Sequence, residues 1–93
     1  MRNFKPDDRL SRAHEILSTE IDQETVLMSI DAEAYYGLKG PARSIWEKLE
    51  IPITFSALVD LLVKEYKITP EACAADLNKF LGEMEREGLL RVE

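Results

Sequence analysis

Ninety-three residues fit one domain and leave no room for a second hydrophobic core. The apolar fraction of 45% argues against disorder throughout, and a formal charge of −6 makes a phosphate backbone a poor partner. The one cysteine, Cys73, excludes an intramolecular disulfide and fits a reducing compartment.

Residues 1–12 are polar and broken by Pro6, with only Phe4 and Leu10 to bury. They read as a flexible N-terminal arm ahead of a domain over residues 13–93. Four basic residues against Asp7 and Asp8 leave the arm at +2, and it has no apolar core of the kind a secretory signal needs. No apolar run approaches the roughly 20 residues that span a bilayer, so a cytoplasmic protein with no membrane partner is expected.

His14 to Ile21 alternates weakly, and Glu24 to Ile30 is rich in β-favouring types, with Asp22-Gln23 as a hairpin turn between them. Asp31, Ala32 and Glu33 make a second break before the aromatic run Ala34 to Leu38. Three short strands joined by tight turns predict an antiparallel meander. The period changes after Gly40-Pro41. Pro41 suits a first helical position, and Ala42, Ile45, Trp46 and Leu49 follow at helical spacing until Pro52. Thr54 is the expected N-cap of a second helix, whose stripe is Leu58, Leu61, Leu62 and Tyr66, widened by Phe55 and Val59. Thr69-Pro70-Glu71 announces a third, with Cys73, Leu77, Phe80, Leu81 and Met84 on its apolar side and Gly88 at its end. The expected fold class is α+β, winged-helix-like, with a three-stranded antiparallel meander followed by three α-helices.

No catalytic constellation is legible, and a non-enzyme without cofactors is expected. His14 is the one histidine and has no partners at metal-ligand spacing. Cys73 sits in an apolar helical stripe beside three alanines, as core cysteines do. The paired acids Asp7-Asp8, Glu47/Glu50 and Glu83/Glu85/Glu87 fall on the arm or on solvent faces, where carboxylates stay ionised. Gly37 and Gly40 have no lysine-serine pair after them and do not form a phosphate loop.

Binding is more legible. Strand alternation places Ala34, Tyr36 and Leu38 on one face and Tyr35 and Gly37 on the other. The last strand of a meander is an edge whose free N–H and C=O groups must be covered or used. An extended peptide could add there, and Gly37 would let its backbone approach. The third helix would supply a second wall, through Asp76, Leu77 and Phe80. The expected peptide-binding residues are therefore Tyr35, Tyr36, Gly37, Leu38, Asp76, Leu77 and Phe80.

These residues carry a family resemblance. Tyr35-Tyr36-Gly37-Leu38 followed by Ile45-Trp46 resembles the YYGLN…IW signature of PqqD-type proteins. Asp76-Leu77, Phe80-Leu81 and Gly88-Leu89 are similar to the family's third helix, and the likeness runs from about Val26 to Val92. Lys39 stands where the family pattern often has Asn, and Ala42 where it often has Gly, so Gly40-Pro41 must start the first helix without an Asn cap. The resemblance implies a chaperone that binds the leader of a ribosomally made precursor peptide as an added strand. It would then present the peptide to a modifying enzyme, such as a radical S-adenosylmethionine protein or a leader peptidase. Pyrroloquinoline quinone, lasso-peptide and related pathways use such chaperones. The alternatives are a winged-helix DNA-binding domain and a structural dimerisation domain. A monomer or weak dimer is expected.

Overall fold

The computed structural model describes residues 2–30 and 32–93; Met1, and Asp31 in the break after the second predicted strand, lie outside the described residues. The elements are β1 (Arg9–Arg12), β2 (Ile16–Ile21), β3 (Glu24–Ser29), β4 (Ala34–Leu38), α1 (Pro41–Lys48), β5 (Ile53–Thr54), α2 (Phe55–Tyr66), α3 (Pro70–Arg86) and β6 (Leu90–Val92). The strands form two antiparallel sheets, ordered β2-β3-β4 and β5-β1-β6. The first is the predicted meander.

Local chemistry accounts for most of these boundaries. Asp22 and Gln23 join β2 to β3 with φ of 50° and 66°, and two positive-φ residues make the primed turn whose twist matches a hairpin. In β3, Thr25, Leu27 and Ser29 are buried while their neighbours are not, so the strand turns one face to the core. Gly40 precedes α1 with φ 54° and no side-chain cap, and Pro41 occupies the first turn. Thr54 and Thr69 cap α2 and α3 by accepting from the backbone N–H groups of Ala57 and Ala72, each at 3.2 Å. At the end of α3 the Leu89 N–H donates to the Met84 carbonyl and the Gly88 N–H to that of Glu85, with Gly88 at φ 76°. This paired closure folds Leu89 and Leu90 back into the core.

Residues 2–12 are not a loose arm. β1 is the central strand of the second sheet, pairing Leu10 with Ile53 on one side and with Val92 on the other. Leu10 is fully buried and Phe4 nearly so, its ring stacked on Phe55 with centroids 5.9 Å apart. The Phe4 N–H donates to Asn78 Oδ1 at 2.8 Å, which fastens the segment to α3. Arg12 lies 4.5 Å over the Trp46 ring and donates to the Trp46 carbonyl through Nε and Nη2 at 3.0 and 2.7 Å. Two apolar residues in a polar segment look too few to order it, but their partners come from distant parts of the chain. Leu61 and Tyr66, expected on the packing stripe of α2, are instead exposed.

Leu10→Ala should lower unfolding free energy by about 2–5 kcal/mol, as truncation of a buried leucine does. Leu17→Ala, at an exposed strand position, should change it by less than about 0.5 kcal/mol. Urea unfolding of the two variants checks this, and equal effects would contradict the placement of β1.

Candidate functional site

β4 is an edge of the meander, with β3 on one side and, among the described residues, no strand on the other. Its side chains alternate as the pattern predicts. Leu38 is buried, Tyr36 packs against the core, and Tyr35 is 73% exposed. The Tyr36 hydroxyl donates to Glu87 Oε2 at 2.9 Å, and that bond raises the phenol above its ordinary pKa. It also ties β4 to the C-terminal end of α3. On the outer face Leu17, Met28 and Tyr35 stand in register across the three strands, an apolar row exposed at Leu17 and Tyr35 and half-buried at Met28.

Gly37 leaves room on the outer face for a neighbour's side chain. The space over it is not open, because a Cβ built there would collide with the carboxylate of Glu24. Glu24 reaches from β3 across β4, with the Lys39 ammonium 3.7 Å from Oε2.

An apolar groove of about 450 Å³ begins three residues beyond β4. Pro41, Ala42 and Ile45 of α1 form one wall, and Cys73, Asp76, Leu77 and Phe80 of α3 form another. Leu62 and Tyr66 of α2, with Ile68 in the following turn, close its end. The predicted site therefore divides in two. Asp76, Leu77 and Phe80 come together in the groove, whereas Tyr35, Tyr36, Gly37 and Leu38 do not line it. Leu77 is a buried wall, and Phe80 is half-buried. Tyr66 and Ile68, both over one-third exposed, are groove residues that sequence reasoning missed. Their signal was an apolar excess at the end of α2 that one packing stripe does not need.

Ionic ties hold these walls in place. Arg43 of α1 hydrogen-bonds Glu20 of β2, which keeps that carboxyl below its usual range. Between α1 and α2, the Ser44 hydroxyl and then Lys48 do the same to Glu65. Burial pushes the Cys73 thiol up, with Asp76 adding to the effect, so the groove cysteine is a poor nucleophile at neutral pH. Among the described residues no group of three or more His, Cys, Asp or Glu could hold a metal, and His14 instead meets Arg91 at 2.6 Å. The Asn78 side chain on α3 accepts from the Phe4 N–H through Oδ1.

The winged-helix-like α+β class is thus established, with a free sheet edge next to an apolar groove. The chain belongs to the PqqD family: the family model described as coenzyme PQQ synthesis protein D matches residues 24–90, from β3 to the start of β6. Among solved structures it is similar to TbiB1 in complex with the TbiA(beta) leader peptide, at 29% identity and a TM-score of 0.77. That match covers 85% of this chain and 93% of the other. No curated protein matches. Among the described residues no helix is long and apolar enough to cross a membrane.

Glu20 and Glu65 should titrate below the ordinary glutamate value of about 4.3. A depressed folded pKa adds stability that is fully present above that value and fades as pH falls through the folded pKa. Both side chains are largely exposed, so the effect on stability is small. Carboxyl ¹³C titration should place both below the ordinary value. Arg43→Gln should return Glu20 toward it without moving Glu65.

Proposed function

We propose that this protein is a non-catalytic chaperone that binds the leader of a ribosomally made precursor peptide and presents it to a modifying enzyme. The observation that carries this reading is the free edge of β4 lying next to the groove of α1 and α3. An extended peptide can satisfy the edge with backbone hydrogen bonds, which supply affinity regardless of sequence. An apolar side chain of the same peptide can fill the groove, whose volume lies in the range of ordinary binding pockets and which supplies selection. Membership of the PqqD family and the likeness to a protein solved with a leader peptide support the same reading.

In this mode Tyr35, Tyr36, Gly37 and Leu38 act mainly through their backbone. Phe80 and Asp76 act through side chains at the groove, and Leu77 backs its wall. A modifying enzyme, such as a radical S-adenosylmethionine protein or a leader peptidase, would receive the bound peptide.

The test is titration of ¹⁵N-labelled protein with synthetic leaders from short reading frames beside its gene. Amides of residues 34–38 and of α3 from Cys73 to Phe80 should shift. Phe80→Ala should weaken binding by about tenfold, as loss of an aromatic wall at an interface does. Leu17→Ala should leave affinity unchanged. Shifts confined to residues 2–12, or absent with every such leader, would contradict the proposal.

A further inference from the structure

The formal charge of −6 is not spread over the molecule. Residues 13–38, which contain the whole meander, hold Glu15, Glu20, Asp22, Glu24, Asp31 and Glu33 and neither Lys nor Arg. The remaining residues hold 12 acidic and 12 basic side chains and are neutral. The excess negative charge therefore belongs to the stretch of sequence that builds the open-edged sheet, with Glu20 and Glu24 in its strands.

One of these carboxylates stands at the edge itself. Val26 of β3 is paired with Gly37 of β4, and Glu24 lies two residues earlier on the same outer face of the sheet. With no side chain on Gly37, the Glu24 carboxylate lies over β4, where a Cβ would otherwise be. Its ionic partner is the Lys39 ammonium at 3.7 Å, on a side chain 77% exposed. Such a contact is long and solvated, and contributes little. Arg43 of α1 is already committed to Glu20 and Glu47.

A strand added to β4 would place one residue directly opposite Gly37, with its Cβ on the outer face. Cross-strand Cβ atoms lie roughly 4.5–5.5 Å apart. Because the Glu24 carboxylate occupies the Cβ position of Gly37, it meets that residue at about the same range. An aspartate or glutamate there would face a fixed like charge, and a large apolar side chain would meet a polar group it cannot satisfy. A lysine or arginine could close on the carboxylate and displace the weak Lys39 contact.

We propose that Glu24 selects a basic residue on the incoming peptide at the position facing Gly37. The inference rests on strand addition at β4. It makes Glu24, held on the central strand, a specificity-determining residue of the peptide site. The role of Gly37 is to let a side chain from the neighbouring strand reach the edge.

Random twelve-residue peptides displayed on phage, selected on the wild-type protein and on the E24Q and E24K variants, test this. Enriched peptides are then synthesised and mapped on ¹⁵N-labelled protein. Wild-type selections should yield peptides that shift amides 34–38 and carry Lys or Arg at one fixed offset from their apolar residues. E24Q should bind the same peptides about fivefold more weakly, the size of one exposed ion pair. E24K selections should favour Asp or Glu at that offset. Peptides that shift residues 34–38 without a basic preference, or whose preference survives in E24Q, would overturn the role of Glu24 and leave strand addition standing. Enriched peptides that leave residues 34–38 unshifted would overturn both.

Discussion

The position of β1 between β5 and β6 is the constraint on which the helical part of this fold depends. β5 runs directly into α2, and β6 follows the closure of α3, so the strand between them registers the start of one helix against the end of the other. Leu10, with no exposed surface, fixes that register from below. Arg12 extends the same strand to α1 by stacking over Trp46 and capping its carbonyl. A charged group so placed interacts with both the ring face and a backbone oxygen, each partly shielded from water. The Trp46 ring is buried to the point that its Nε1–H has no partner among the described residues. An unmet donor costs about 1–3 kcal/mol. The apolar contacts of so large a ring offset that cost, so the indole serves as packing and not as a polar link.

The groove follows from this arrangement. Its walls belong to three helices, and none of the three is positioned by its immediate chain neighbours alone. α1 is held by Arg12 and by the Glu20–Arg43 pair, α2 by β5 and the Glu65 cluster with Ser44 and Lys48, and α3 by β6 and the Phe4–Asn78 bond. The edge strand is set against the same frame through Leu38 in the core and Tyr36 on Glu87. Edge and groove are thus set against one packed frame although they share no side chain. A division of that kind suits recognition in which backbone pairing holds a peptide and a pocket distinguishes it.

The meander and the helices were legible because their signals are local. The two-residue turn at Asp22-Gln23, the threonine caps and Pro70 each act within a few residues, and periodicity identified the buried faces of β4 and α3. The small sheet was not legible. Its strands are two to four residues long, and they pair across 43 to 45 and 78 to 82 positions of chain. Nothing in the polar run around Leu10 indicates such partners. What fills the space over Gly37 was hidden for a related reason. Its missing side chain was visible, but Glu24 occupies the vacated space from another strand, which depends on register and rotamer. Tyr66 was placed on a packing stripe because the helical period cannot distinguish a core face from a groove face on the same side.

The pairing of β1 with β6 has one more consequence. Arg9 and Glu93 exchange backbone hydrogen bonds at 3.1 and 2.8 Å, so the chain passes into and out of the sheet at neighbouring points. Both main-chain groups of Arg9 are met by this one residue, so Glu93 extends the β1–β6 ladder by one more antiparallel pair across the whole length of the fold.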